Sequence, residues 1–267
     1  MAIDYIIDYS CVPKETLTTA GILERIKSRE RAGAVIKLFR ENGDQRPPSE
    51  MGFEFTRTNR DGEEETRVVV VQEMLDLAAE LIPLEQYCVG CPANVSGAAF
   101  GCIGSIAYPI SAAGEKWLLD QLPGTDLPLI WLLLRQGVQE LGYDGEAVKP
   151  LRATTTYFEE RRVAGRDMVE FIMTANQTFE MLFLLGNLQP SHAGALLLLF
   201  NAIPREVETA QIVQITTNRL SADEIARDYP FQMAIQPDDD RTVAELKAFF
   251  YALYRAWSLK VALLLDV

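Results

Sequence analysis

The sequence predicts an α+β protein in which a small antiparallel sheet from the N-terminal half packs with a mainly helical C-terminal half. Most short segments of β-branched or alternating apolar residues lie before residue 72, whereas longer segments with helical periodicity dominate after residue 110. The chain has 267 residues, of which 48% are hydrophobic and 24% are charged. That length and composition suffice to bury a substantial core.

The N-terminal half alternates strands with helices. The clearest signal is a β-hairpin, because Phe53 and Phe55 alternate with polar residues before the turn-forming run 59–62 and a β-branched segment follows it. An amphipathic helix precedes this hairpin, and Asn42-Gly43 is a stop signal for it. The predicted elements are strand 3–9, helix 18–40, strands 51–58 and 66–71, and helix 72–81.

The C-terminal half is predicted to be largely helical. Ser111 and Asp126 are candidate N-caps, and the capping-box pattern occurs at Ser221 and at Thr242. The predicted elements are a helix after Ser111, helix 129–141, strand 154–163, helices 167–185 and 193–202, and a C-terminal helix of about 24 residues that opens at Thr242 and includes Leu264. We expect one domain over residues 1–267, with a weak boundary near residues 145–150.

Charge and hydropathy limit the partners and the location. A net charge of −13 opposes binding to nucleic acid and to anionic membrane surfaces. The purest apolar run, residues 193–200, is too short to span a bilayer, and the N-terminus lacks the features of a signal peptide. The sequence therefore predicts a cytoplasmic protein without nucleic-acid or membrane partners.

Three of the four cysteines lie in a stretch without charged side chains, residues 86–114. Cys88 and Cys91 form a Cys-x-x-Cys pair, Cys102 follows, and Cys11 comes directly after the first predicted strand. Thiolates are ligands for zinc and for iron–sulfur clusters, and a close pair with two more cysteines can complete a ligand set. These four cysteines are therefore the predicted metal ligands, with zinc and an iron–sulfur cluster about equally favoured.

Glycines beside two of these cysteines strengthen the metal hypothesis. Gly90 and Gly101 permit tight turns and leave backbone N–H groups that can point at sulfur. The spacing nevertheless differs from ferredoxin and zinc-ribbon patterns, and the set closes only if Cys11 returns from a distant position. The first functional hypothesis is a cytosolic cysteine-cluster metalloprotein with an accessory or interaction role.

Two other functional classes stay open. Cys88 and Cys91 are the predicted pair of a thiol–disulfide redox enzyme, and the aromatic Tyr87 precedes them. Alternatively, the chain is a metal-free helical scaffold whose aromatic C-terminal helix binds a protein partner or a second copy of the chain. The cysteines can also be small buried apolar residues without further chemistry.

Other polar residues favour structural roles. His192 is the only histidine, and the chain lacks phosphate-binding and dinucleotide-binding glycine motifs. The acidic run 238–240 precedes a helix, which favours capping over cation binding. The polar residues of 174–178 are expected to form hydrogen bonds within the helical half, and Arg161-Arg162 is expected at a solvated strand edge.

Overall fold

The computed structural model describes residues 2–58 and 64–266. The chain divides into two compact units, a small unit formed by Ser10–Cys91 and a large unit formed by Met1–Tyr9 and Pro92–Val267. The predicted α+β class is confirmed. Residues 145–150 lie inside the large unit, and the single domain stays a prediction.

Strands and helices are named in chain order. The strands are β1 (Ala2–Ile7), β2 (Gly52–Thr58), β3 (Glu64–Val70), β4 (Ile103–Ala107), β5 (Gly165–Asp167), β6 (Ile172–Thr174), β7 (Asn187–Leu188) and β8 (Leu263–Asp266). The helices are α1 (Val12–Glu41), α2 (Val71–Ala79), α3 (Ala112–Asp120), α4 (Pro128–Leu141), α5 (Lys149–Ala153), α6 (Ala175–Phe183), α7 (Pro190–Leu199), α8 (Thr209–Thr216), α9 (Ala222–Asp228) and α10 (Arg241–Leu259). Short 3₁₀ helices cover Pro48–Glu50, Ile82–Cys88 and Glu146–Val148.

In the small unit, the predicted hairpin is present. β2 and β3 pair antiparallel, with Gly52 opposite Val70 and Thr58 opposite Glu64. The predicted turn at 59–62 lies outside the described residues. One face of the unit buries a core of Ala32, Met51, Val71 and Met74, against which half-buried side chains of α1, β2, β3 and α2 pack. Helix α1 and the hairpin thus have a shared apolar core.

Helix α1 also contacts α2 and the 3₁₀ helix Ile82–Cys88. It is interrupted at Thr18, whose φ of 61° and ψ of 164° are not helical. Two ion pairs extend from its polar face. An Arg25 guanidinium nitrogen lies 2.6 Å from a Glu80 carboxylate oxygen, and Arg29 lies 3.4 Å from Glu85. These pairs hold the segment that leads to Cys88 against α1.

The large unit is built on a four-stranded antiparallel sheet with the order β4-β1-β8-β7. β1 is central: Tyr5 faces Gly104 on β4 and Leu265 on β8. A Cβ at Gly104 would lie 2.4 Å from the Tyr5 ring, so glycine is required there. The sheet therefore combines strands from the first part of the chain with two strands from its C-terminal half.

Helix α10 is the centre of the large unit's core. It packs against α7, β4, α3 and β1. Its aromatic side chains Phe249, Phe250 and Trp257 are fully buried, and the ring of Phe249 lies 5.4 Å from that of Tyr5, centroid to centroid. The burial predicted for the C-terminal aromatic residues is thus provided by the protein itself. Interaction with a partner through this helix stays a prediction.

Two helix N-termini of the large unit share their capping groups. The Ser111 hydroxyl caps α3 by accepting a hydrogen bond from Gly114 N–H, as predicted, and donates to an Asp240 carboxylate oxygen at 2.6 Å. The same Asp240 oxygen accepts from Thr242 N–H at 2.9 Å and caps α10. These bonds hold the pKa of Asp240 below its usual value, with the Ser111 hydroxyl as the largest cause.

The structure corrects several predicted boundaries. Residues 154–163, all described, do not form the predicted strand; Phe158 makes one isolated bridge to Ile110 and is buried against Phe179. The predicted helix 167–185 is instead strands β5 and β6 followed by α6, because Thr174 forms a capping box that starts the helix there. In residues 154–163, the sequence pattern did not distinguish a segment with one buried aromatic residue, Phe158, from a full strand.

The ends of the C-terminal helix also differ from the prediction. Asp240 caps α10, so Thr242 lies inside the helix rather than at its N-cap. The helix ends at Leu259, where Lys260 takes a left-handed φ of 57°, and Leu264 belongs to β8. Pairing with β1 provides backbone hydrogen bonds that a longer helix would forgo. Asp126 does not cap α4, whose N-cap is Leu127.

Candidate functional site

Cys88 and Cys91 occupy the first and fourth positions of a β-turn in the small unit. The Cys91 N–H donates to the Cys88 carbonyl oxygen at 3.4 Å. Val89 has φ −69° and ψ 122°, and Gly90 has φ 72°, as in a type II turn. The Cα atoms of such terminal residues lie within about 7 Å of each other. Disulfides have a Cα separation of up to about 6.8 Å, so the turn brings the two cysteines close to that range.

The two thiols differ in exposure. Cys88 ends the 3₁₀ helix Ile82–Cys88 and is 8% exposed, whereas Cys91 is partly exposed. Val89, at the tip of the turn, is 86% exposed, and Tyr87 is 47% exposed. The turn therefore combines one buried and one partly exposed cysteine with two exposed neighbours, Tyr87 and Val89.

The other two cysteines are placed elsewhere. Cys11 is the N-cap residue of α1 in the small unit and is partly exposed. Cys102 belongs to the large unit, where it precedes β4 and its carbonyl oxygen accepts a hydrogen bond from Ile7 N–H at 3.0 Å. Across the described cysteines, none forms a disulfide.

The metalloprotein hypothesis is wrong. Among residues 2–58 and 64–266, no group of three or more His, Cys, Asp or Glu side chains is arranged to hold a metal ion. This holds for the predicted ligand set Cys11, Cys88, Cys91 and Cys102. The zinc ion or iron–sulfur cluster predicted for these cysteines therefore has no ligand group among the described residues.

A side-chain amide explains the glycine that had favoured the metal hypothesis. The Asn94 side chain accepts from Gly97 N–H and donates to the Ala98 carbonyl oxygen, both at 2.9 Å. Gly101 N–H donates to Ala98 O at 3.1 Å instead of pointing at sulfur. A Cβ at Gly101 would lie 2.1 Å from Asn94 Oδ1. Residues 94–101 are thus a loop closed by Asn94, and this loop needs glycine for its packing.

The sequence analysis missed a buried ion pair in the large unit. Arg152 and Glu115 are almost completely buried and form a bidentate pair, with Arg152 Nη1 3.2 Å from Glu115 Oε2 and Nη2 hydrogen-bonded to Oε1. Arg152 Nε also donates to Asn176 Oδ1 at 2.6 Å, and Nη1 donates to the Glu160 carbonyl oxygen at 2.8 Å. The guanidinium carbon lies 4.0 Å from the ring centroid of Phe158.

Burial dominates the electrostatics of this pair. Desolvation raises the pKa of Glu115 above its usual value, although the hydrogen bonds and the charge of Arg152 partly oppose the shift. Arg152 on α5 thus binds Glu115 on α3 and Asn176 on α6, which links the three helices. Arg152 and Glu115 are 37 residues apart in the sequence, so no local pattern around either residue predicts that they pair.

The acidic run 238–240 and Asn176 have structural roles. Asp240 caps α10, as expected of the acidic run, and Asp239 binds Lys247 with an oxygen–nitrogen distance of 2.7 Å. Asn176 binds Arg152, in agreement with the expected hydrogen bonding of the run 174–178. His192 lies in the first turn of α7, and burial lowers its pKa.

The residues Arg161-Arg162 are exposed, as expected, but they do not belong to a strand. They follow the bridge residue Phe158 in an irregular segment. The predicted strand edge at this position is therefore replaced by a solvated loop.

No protein-family model, curated protein or solved structure matches this chain. Of the helices in the described residues, none combines the length and the apolar character needed to cross a membrane. The assignment of function therefore depends on the geometry of the chain itself.

Proposed function

We propose that this protein is a thiol–disulfide exchange protein whose reactive groups are Cys88 and Cys91. The type II turn carries the proposal, because it brings the Cα atoms of the two cysteines within about 7 Å of each other, close to the separation that a disulfide needs. Gly90 supports this arrangement, since a φ of 72° is rarely adopted by residues with a side chain.

The difference in exposure supports distinct roles for the two thiols. Cys91 is the more exposed residue and supplies the proposed nucleophile; Cys88 is buried and supplies the proposed resolving thiol. Cys91 loses its proton to solvent, and its thiolate attacks one sulfur of a substrate disulfide. An S–S bond forms between Cys91 and that sulfur, and the other substrate sulfur leaves as a thiolate.

The second step completes the transfer. Cys88 then loses its proton to solvent, and its thiolate attacks the sulfur of Cys91. The Cys88–Cys91 disulfide forms, the mixed disulfide breaks, and the second substrate sulfur leaves as a thiolate. Both leaving thiolates take protons from solvent. The substrate disulfide is thereby reduced by two electrons and the cysteine pair is oxidised. A dithiol reductant returns the pair to the reduced form by the reverse sequence.

The short loop between the cysteines fits a pair that cycles. In the chain-entropy model, closing a loop of about four residues stabilises the folded state by only about 2 kcal/mol, against about 4.7 kcal/mol for a loop of about 100 residues. Reduction of such a disulfide therefore removes little conformational stability. A pair with that property can change redox state while the small unit stays folded.

Trapping of the mixed disulfide tests the proposed roles. The reduced protein is mixed with cystamine, a small disulfide, and the products are mapped by mass spectrometry. We expect the native chain to form the Cys88–Cys91 disulfide. Cys88→Ser should accumulate a mixed disulfide of Cys91 with cysteamine, one half of cystamine, because the resolving thiol is gone, whereas Cys91→Ser should react slowly.

Cys102→Ser is the matched control, since Cys102 belongs to the large unit and should leave the reaction unchanged. Equal accumulation of stable mixed disulfides at all cysteines of the native chain would contradict the proposal. So would a disulfide of Cys88 or Cys91 with Cys11 as the main product.

A further inference from the structure

A strained valine lies at the tip of the β5–β6 hairpin in the large unit. Met168 N–H donates to the Phe171 carbonyl oxygen at 2.9 Å, which leaves Val169 and Glu170 as a two-residue loop. Val169 has a φ of 76°, whereas Glu170 does not have a positive φ, and this pattern is that of a type II′ turn. Glycine is preferred at the first position of such a turn, because side chains disfavour a positive φ, and β-branched side chains do so most strongly.

The valine gains little burial in return for this strained backbone. Val169 is 76% exposed, and Ile172, three residues further along the hairpin, is 66% exposed. The turn is nevertheless fixed, since Val169 N–H donates to an Asp167 carboxylate oxygen at 2.8 Å. A strained residue that directs an apolar side chain into solvent indicates a function, because strained backbone conformations concentrate at binding surfaces and switches.

A half-exposed ion pair borders the turn. Arg135 on α4 lies 3.0 Å from Glu170, nitrogen to oxygen, and the two side chains are 37% and 50% exposed. The neighbouring residues also meet, since the ring of Phe171 lies 6.3 Å from that of Trp131, centroid to centroid. Leu132, about one helical turn before Arg135 on the same side of α4, is 50% exposed. The hairpin tip and α4 thus share a surface, which we call the hairpin patch: Leu132, Arg135, Val169, Glu170 and Ile172.

We infer that the hairpin patch is the contact surface between two copies of this chain related by a two-fold axis. The patch carries one positive and one negative charge side by side, so it is complementary to itself. In a two-fold pair, Arg135 of each copy lies opposite Glu170 of the other copy. Val169 and Ile172 then pack against the second copy, which provides the burial that the strained valine lacks in the single chain.

The charge of the patch favours this occupant over others. One arginine beside one glutamate offers no net charge to a nucleic acid or to an anionic membrane, and the net charge of −13 repels both. The same net charge opposes the approach of a second copy, but physiological salt screens this repulsion beyond about 8 Å and leaves close pairs largely intact. Three exposed apolar side chains per copy form a small interface, so we expect a weak dimer with a dissociation constant of about 10 µM to 1 mM.

Sedimentation equilibrium of the full-length chain with its cysteines kept reduced measures this dimer, in a concentration series that extends to about 1 mM. Val169→Gly should weaken the dimer at least about tenfold, because each dimer loses two buried valine side chains. In dilute solution, the same change should raise Tm by a few degrees, since glycine relieves the turn. Val213→Ser is the matched control, because Val213 is a 48% exposed valine on α8, and it should leave the dissociation constant unchanged.

Charge reversal tests the two-fold arrangement itself. Arg135→Glu and Glu170→Arg should each weaken the dimer, since each places like charges opposite one another across the axis. An equimolar mixture of the two variants should regain the affinity of the native chain, because every contact in the mixed dimer then joins opposite charges. The exposed pair within one chain adds little to folding, so both variants should keep the native Tm within about 2 °C.

Two sets of results would overturn the inference. The first is a chain that stays monomeric over the whole concentration series, or a dimer that neither Val169→Gly nor the charge reversals weaken. The second is a loss of the dimer in both charge-reversal variants without recovery in their mixture, since the two charges would then not lie opposite each other.

Discussion

Replacing Arg152 with methionine is expected to destabilise the large unit by about 3–5 kcal/mol, the cost of leaving one partner of a buried ion pair alone. Arg152 donates to Glu115, Asn176 Oδ1 and the Glu160 carbonyl oxygen, and its guanidinium stacks on Phe158. At an effective dielectric constant of about 20, two unit charges about 4 Å apart interact by about 4 kcal/mol. Desolvation of the arginine offsets part of this gain, and methionine refills part of the volume.

The pH dependence of this loss follows from Glu115. Burial already raises the pKa of Glu115, and removal of Arg152 raises it further because the opposing contacts disappear. The folded variant then binds a proton at a pH at which the folded native chain does not. The destabilisation is therefore largest at neutral and basic pH and shrinks as the pH falls through the raised pKa of the variant.

Urea unfolding and thermal melts between pH 5 and pH 8 measure both effects, and the expected decrease in Tm at pH 8 is about 10 °C. Arg161→Met is the matched control, since Arg161 is exposed, and it should change stability by less than about 0.5 kcal/mol. The double change Glu115→Leu with Arg152→Met should recover part of the loss, because no charge is then left buried. A loss below about 1 kcal/mol that is independent of pH would refute this reasoning.

Two further substitutions test the turn and the shared helix caps. Gly90→Ala should cost about 1–2 kcal/mol, because alanine disfavours the left-handed backbone of this position, and it should lower the yield of the Cys88–Cys91 disulfide at a fixed redox potential. Gly137→Ala is the control: Gly137 lies in a helix with open space around it, so alanine there should raise Tm slightly. Ser111→Ala should cost about 1–2 kcal/mol at neutral pH, because it removes the cap of α3 and the donor that holds the pKa of Asp240 low. The part due to Asp240 should vanish in acid, where Asp240 is protonated in both the folded and the unfolded chain. Ser105→Ala is the control, since Ser105 is exposed, and an equal effect of both substitutions would contradict the cap assignment.

Local signals in the sequence predicted the elements that local forces determine. The alternation around Phe53 predicted the hairpin, and the small polar residue Ser111 predicted the start of α3. Gly142, with a φ of 67°, ends α4 as a glycine in the left-handed region does. In each case the deciding interaction lies within a few residues of the signal.

Features that depend on distant partners were not predictable in the same way. Leu264 continues an apolar helical pattern, and only its pairing with Ile6 of β1 makes it part of a strand. Arg152 and Glu115 resemble surface charges until the fold buries them together. Gly101 favoured a metal site because glycine beside cysteine has several explanations, and the actual one is the side chain of Asn94.

A redox titration tests the exchange function most directly. The purified full-length chain is equilibrated in mixtures of reduced and oxidised dithiothreitol, quenched with acid, alkylated and digested, and the disulfide-linked peptides are quantified by mass spectrometry. The proposal predicts a single two-electron transition in which Cys88 and Cys91 lose their reactivity together and appear in one cross-linked peptide, while Cys11 and Cys102 stay alkylatable. If Cys88 and Cys91 stay alkylatable at every potential, or if either one pairs with another cysteine, the Cys88–Cys91 turn is not a redox site.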